Sequence, residues 1–187
     1  LGRVQRAGAR LDEKRLEWIN GHFIRQMPPQ GLYELSKAYW PAEAGSAPDD
    51  YKRRILNLLQ ERLKYLAEIA SLSLFFFKEP SLKDVAELFN NPSDKQLGKV
   101  SKATLREFLK AAREQLAGNS FSEEDLANGL NDLLEKLQTK PGVLFAAIRI
   151  AISGTPASPQ LFGTLSVLGK QKSVERIDRA ITVLGQA

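Results

Sequence analysis

The sequence predicts an all-α fold, an irregular bundle or cage of short helices joined by tight loops, and three observations lead there. Apolar residues recur at three- and four-residue spacing in one segment after another, as in Leu16, Ile19 and Phe23, or Ile55, Leu58, Leu59 and Leu63. No stretch alternates convincingly with period two. Capping residues and Gly, Pro or Asn breakers punctuate the chain at short intervals, while no fixed-period repeat is visible, which disfavours a symmetric solenoid.

Taken in order, Asp12 is a helix N-cap followed by Glu13 in the first turn, where the helix dipole favours acids, and Pro28-Pro29 forbids continuation. A second helix is expected over 30–40, and 41–48 reads as a loop bounded by two prolines. Asp49-Asp50 opens a long helical pattern through Leu63, Leu66, Ile69 and Ala70 that is expected to break once. Phe75-Phe76-Phe77 cannot share one helical face, so the helix should end there with the rings filling a corner of the core. Ser81 caps a short helix that stops at Asn90-Asn91-Pro92, and a polar stretch places a domain boundary near Lys95. Helices over 101–116 and from the Ser122 capping box to Leu137 follow, then 142–152, 159–168 and 172–184.

Composition narrows the chemistry. The 187 residues hold 27 Lys and Arg against 22 Asp and Glu, no Cys and a single His. Disulfides, thiolate zinc sites, iron-sulfur clusters and Cys nucleophiles are therefore excluded, and His22 alone cannot build a His-based zinc site. A cysteine-free chain suits the reducing cytosol, so a cytoplasmic location is expected. The longest apolar run, 143–152, is interrupted by Arg149 and is about half of a membrane span, so no transmembrane helix is expected. No glycine-rich phosphate loop, nucleophile elbow or metalloprotease motif occurs, and the chain alone is not expected to be an enzyme. With its only methionine at Met27, the chain reads as a fragment.

Charge and one unusual arginine point to a partner. The last fifty or so residues carry Lys140, Arg149, Lys170, Lys172, Arg176 and Arg179 against only Glu175 and Asp178, which suits a polyanion, though a merely solvated basic surface is also compatible. Arg149 lies inside Leu144-Phe145-Ala146-Ala147-Ile148-Arg149-Ile150-Ala151-Ile152, where an unpaired buried guanidinium would cost several kcal/mol. It must pair with an acid, snorkel to solvent, or hydrogen-bond and stack on an unpaired RNA base. Just beyond, Ser158 is expected to cap a helix beginning at Pro159, with outward amide donors and Leu161 as an apolar surface beside them. His22, one turn after Trp18, reads as a structural stack, and Glu123-Glu124-Asp125 as first-turn helix charges.

Two strings carry a family resemblance. Arg3-Val4-Gln5-Arg6-Ala7-Gly8-Ala9, followed by Leu16-Glu17-Trp18-Ile19-Asn20-Gly21-His22-Phe23-Ile24-Arg25, is similar to the segment downstream of the catalytic core in bacterial-type glutamyl-tRNA synthetases. Ile148-Arg149-Ile150-Ala151-Ile152-Ser153-Gly154, then Ser158-Pro159-Gln160-Leu161-Phe162 and Leu168-Gly169-Lys170, resembles the C-terminal anticodon-binding pattern of that family in order and spacing. Between them, 60–77 resembles the family's long helix of the first anticodon-binding subdomain.

The resemblance implies the end of a stem-contact region over 1–36, a first helical anticodon-binding subdomain over 37–95 and a second over 96–187. It implies an anticodon-binding module whose parent, a class I synthetase, uses ATP and Mg2+ to ligate glutamate to tRNA(Glu). No cofactor or metal is expected in this stretch, because the ATP-binding signatures resembling H-I-G-H and K-M-S-K-S are missing. Carried over singly, Arg149 matches the arginine that contacts anticodon bases, and Ser158, Pro159 and Leu161 match positions that pocket them. Ile-Arg-Ile-Ala-Ile-Ser-Gly stands where Leu-Arg-x-Ala-Leu-Thr-Gly is more usual, and Lys170-Gln171 where Lys-Glu is. The family residue that reads the third anticodon base has no motif by which to place it. A monomer is expected. The competing expectation is a helical protein-interaction scaffold without RNA binding.

Overall fold

The computed structural model describes residues 12–92, 95–156 and 158–185. Ten α-helices lie among the described residues, with no strand: α1 Glu13–Gln26, α2 Pro29–Ser36, α3 Asp49–Leu59, α4 Glu68–Phe77, α5 Leu82–Asn90, α6 Lys102–Ala117, α7 Glu123–Leu137, α8 Pro141–Ser153, α9 Leu161–Leu168 and α10 Lys170–Gly185. The string of residues 3–9 that carries half of the first resemblance lies outside the described residues.

Local capping sets most of the boundaries. Asp12, Ser101 and Ser122 each accept a hydrogen bond from the backbone amide three residues on, at the starts of α1, α6 and α7. Helix α7 ends on Gln138 and α8 on Gly154, both left-handed, with φ of 49° and 63°.

Elsewhere, side chains stop or break helices that the periodicity would continue. Helix α2 ends at Ser36, a turn short of expectation, because the Ser36 hydroxyl donates to the Tyr33 carbonyl at 2.7 Å and accepts from the Trp40 indole at 3.2 Å. The expected break in the long pattern falls at 60–67. There the Glu68 carboxylate takes the amides of Lys64 and Tyr65 at 2.7 and 3.1 Å, and Gln60 donates to the carbonyls of Ile24 and Met27 at 3.0 and 2.9 Å.

The expected ring corner forms as well. Phe75 and Phe76 are buried with ring centroids 4.2 Å apart, while Phe77 meets Trp40 and Tyr51 edge-on. Tyr33 is buried under Arg53, whose guanidinium carbon lies 3.8 Å from the ring centroid. Burial, with Asp49 beside the hydroxyl, pushes the Tyr33 phenol up to about 12.

Helix α10 is the central strut: it lies along α6 and also touches α5, α8 and α9. Helix α3 packs on α4 and α9, and α7 on α6 and α9. One hydrophobic core, running from Ile24 to Leu184, therefore joins helices on both sides of residue 95. One of the basic residues expected to face a polyanion, Arg176, is used inside this body, which corrects that expectation for it. Arg176 is 3% exposed, pairs with Glu79 at 2.9 Å and donates to the Ile152 carbonyl at 2.6 Å. Arg179 pairs with the same Glu79 at 2.8 Å.

Candidate functional site

Helix α8 is buried on every side but one. Leu144, Ala147, Ile148, Ile150, Ala151 and Ile152 are in the core, whereas Phe145, Ala146 and Arg149 form a half-buried stripe. Residues 145 and 149 stand four apart, on one face. This stripe borders a cleft of about 320 Å³ lined by Pro141, Gly142, Phe145, Ala146, Arg149 and Pro156. Phe145 in turn meets Phe162 edge-on at 5.6 Å, so the apolar wall is aromatic.

The requirement that Arg149 reach a partner is met by backbone carbonyls and not by an acid. Its Nη1 donates to the carbonyl oxygens of Ser158 at 2.9 Å and Pro159 at 2.7 Å, with the Ser158 hydroxyl at 3.4 Å. Among the described residues Arg149 has no ion pair, and its Nε and Nη2 make no hydrogen bond. One edge of the guanidinium is thus fixed and the other edge keeps its donors. Burial, and then the positive charge of Arg62, lowers the Arg149 pKa from its ordinary value, although a guanidinium stays protonated throughout the neutral range.

The loop beyond α8 departs from expectation. Ser158 is not a helix N-cap and Pro159 does not open a helix: α9 begins at Leu161, capped by the Gln160 side chain, which accepts from the Gly163 amide. The reason is competition, since the Ser158 and Pro159 carbonyls are taken by guanidinium donors instead of by a helical ladder. Leu161 is 2% exposed and packs into the core, so the apolar surface beside the helix start comes from Phe162 and Phe145. Ser158 is buried as well, and offers its carbonyl to Arg149 more closely than its hydroxyl.

The structure brings together Arg149, Ser158 and Pro159, and adds three residues that sequence reasoning missed. Phe145 carried a readable signal, its spacing of four from Arg149. Pro156 and Arg62 did not, because only the folded chain places them here. Arg62 also donates to the Ser158 carbonyl, from the connector between α3 and α4. A second cleft, of about 360 Å³, opens where the end of α4 and the start of α5 meet the turn after α8, with Leu74, Lys78, Ser81 and Thr155 among its walls. Trp18 and His22 stack at 5.5 Å, and Trp18 is 65% exposed.

Among the described residues no group of three His, Asp or Glu side chains could hold a metal ion, and no helix is long and apolar enough to cross a membrane. With no phosphate-binding glycine loop either, the described residues offer no donor set that fits ATP or Mg2+.

A cationic fork over an aromatic cleft, in an all-helical frame, is suited to unpaired bases. The chain belongs to the anticodon binding domain family, whose model matches residues 31–181. The relatives it matches along its full length are glutamate–tRNA ligases. That of Roseiflexus castenholzii is 35% identical over 100% of this chain and 37% of its own length. That of Dehalococcoides mccartyi strain BAV1 is 33% identical over 100% and 38%. The chain thus spans a little over a third of the curated relatives it matches. A solved glutamate tRNA ligase from Elizabethkingia meningosepticum shares the fold, with a TM-score of 0.69 at 20% identity over 97% of this chain and 34% of that one. These relatives favour the RNA-binding expectation over the protein-interaction scaffold.

Proposed function

We propose that this chain is the anticodon-reading module of a glutamate–tRNA ligase and binds tRNA(Glu). The observation that carries the proposal is the Arg149 fork, held by two carbonyls on one edge and open on the other, beside the Phe145 wall of a cleft. Arg149 donates to base acceptors while an unstacked base lies against Phe145 and Pro156. Ser158 and Pro159 orient the fork through their carbonyls, and Leu161 anchors their loop in the core. Exposed lysines contribute sequence-independent phosphate contacts.

The parent protein ligates glutamate to tRNA using ATP and Mg2+ bound outside this stretch, acts in the cytoplasm and is a monomer. In this reading 1–36 ends a stem-contact region, and 37–95 and 96–187 form the two helical anticodon-binding subdomains.

The test is binding of the chain to a glutamate-tRNA anticodon stem-loop against one with scrambled anticodon bases, at two salt concentrations. Arg149→Ala should weaken binding of the matched loop by about 1–3 kcal/mol and relax the preference for it. Unchanged affinity for the matched loop would remove Arg149 from base reading. A weak response to salt would argue against phosphate contacts altogether.

A further inference from the structure

One hydroxyl bridges the end of α8 to the loop that follows it. The Ser153 Oγ stands 2.7 Å from the Arg149 carbonyl oxygen and 3.0 Å from that of Thr155, and its single proton is shared between them. The first contact is the common bond of a helical serine to the carbonyl four residues back. The second is not helical. It exists because Gly154, at φ 63°, turns the chain so that the Thr155 carbonyl comes back towards the last turn of α8. Ser153 is buried, where a lost hydrogen bond is not simply made good by solvent.

The bridge stands at the root of the loop that holds the Arg149 fork. Arg149 leaves α8 one turn before Ser153, and the carbonyls that fix its guanidinium, those of Ser158 and Pro159, lie a few residues after it. The loop thus departs from a helix and returns to a side chain of the same helix, so its direction of departure decides where those carbonyls arrive. Two other contacts act on residue 154 alone. The Gly154 amide donates to the Ile150 carbonyl at 2.9 Å, and Gly154 lies so near Pro80 that a Cβ would stand 2.8 Å from the Pro80 Cβ. The Ser153 hydroxyl extends the hold to Thr155, the neighbour of Pro156 in the wall of the Arg149 cleft.

We infer that Ser153 is a positioning residue for base reading: by joining the Arg149 and Thr155 carbonyls, its hydroxyl sets the course of the loop whose own carbonyls orient the Arg149 fork. This rests on the anticodon-reading proposal above and assigns a role to a residue that does not line the Arg149 cleft. The loop grips the Arg149 side chain while the Arg149 backbone, through Ser153, grips the loop, so the fork and its support form one closed unit.

The experiment has an arm with RNA and an arm without it. In the first, Ser153→Ala, Ser153→Val and Ser153→Thr of the 187-residue chain are titrated with matched and scrambled anticodon stem-loops. Valine matches threonine in shape and lacks only the hydroxyl, so this pair isolates the hydrogen bond from the packing. Ser153→Ala and Ser153→Val should reduce matched-loop affinity about three- to tenfold, the scale of one side-chain hydrogen bond, with scrambled-loop affinity unchanged. Ser153→Thr should keep the discrimination, and in an Arg149→Ala background Ser153→Ala should cost nothing further. Equal losses on both loops, no loss, or equal effects of threonine and valine would overturn the inference. If neither hydroxyl-free variant folds, the hydroxyl serves the fold and not the fork, and the inference fails.

In the second arm, the Arg149 guanidinium nitrogen signals are followed by NMR in free protein. Hindered rotation of the fork should be present in wild type and in Ser153→Thr, and lost in Ser153→Ala and Ser153→Val. A capping role confined to helix stability would lower the unfolding midpoint and leave these signals as they are, which overturns the inference whatever the RNA does. If the signals respond as expected while wild type fails to discriminate the loops, the positioning of the fork stands and the anticodon reading fails.

Discussion

Replacing Gly154 by alanine tests how the turn that leads into the site is held. Gly154 closes α8 at φ 63°, and its amide donates to the Ile150 carbonyl at 2.9 Å. A side chain in this left-handed conformation costs about 1–2 kcal/mol. A Cβ there would also stand 2.8 Å from the Pro80 Cβ, against the 3.4 Å at which ordinary contact begins. The obstructing atom belongs to a rigid ring at the start of the segment leading into α5, so relief requires backbone movement, at about 1–3 kcal/mol. Gly154→Ala should therefore lower stability by about 2–5 kcal/mol, read from urea unfolding by circular dichroism. The two contributions separate in a cycle with Pro80→Gly, which removes the obstructing atom. In that background Gly154→Ala should cost only the conformational part, about 1–2 kcal/mol. The same cost in both backgrounds would show that Pro80 does not press on the turn, and would refute the steric half of the reasoning.

Two further outcomes follow from the buried polar groups. Arg176→Met leaves the Ile152 carbonyl without its guanidinium donor while Glu79 keeps Arg179. It should cost about 1–3 kcal/mol in urea unfolding and leave discrimination between stem-loops intact. Loss of RNA binding in a stably folded Arg176→Met protein would restore this residue to the polyanion surface. For Tyr33, the folded pKa of about 12 lies above an unfolded value of about 10. Folding thus favours the neutral phenol, and its contribution is complete below pH ~10 and is lost as pH rises towards ~12. Wild type should lose stability over that window more steeply than Tyr33→Phe, measured by denaturant midpoints at stepped pH, and parallel curves would exclude the shift.

What could be read from the sequence was whatever the chain decides locally. Asp12, Ser101 and Ser122 cap their helices because a short oxygen-bearing side chain and an amide three residues on need nothing else. That the long pattern after Asp49 breaks once was legible, but its place at 60–67 was not, because Leu63 and Leu66 keep the apolar period straight through it. Nor was the start of α9. Ser158-Pro159 has the local chemistry of a cap and first turn, and only the guanidinium donors arriving from α8 and from the α3–α4 connector turn those carbonyls away from a helix. Arg149 announced itself by being a charge in an apolar run. Arg62 sits in a polar stretch among other basic residues, and nothing in its neighbourhood distinguishes it until the fold closes. Leu161 shows a third kind of limit. Its apolar character was plain, but whether it faces a ligand or the core depends on where the helix begins, and a shift of two residues decided it.

The core that crosses residue 95 also governs which parts of this chain can be exchanged between relatives. Leu58 of α3 seats so closely against α9 that a Cβ on Gly163 would fall 2.5 Å from its methyl group. Helix α5, in the first half, lies against α8 and α10 in the second. A chimera joining residues up to 95 of one relative to residues from 96 of another would therefore set mismatched knobs into sockets shaped for different partners. Substitutions on α3 and α9, or on α5 and α10, are expected to travel as sets. The heritable unit here is the whole helical body, and recombination within it succeeds only where both sides of a buried contact change hands together.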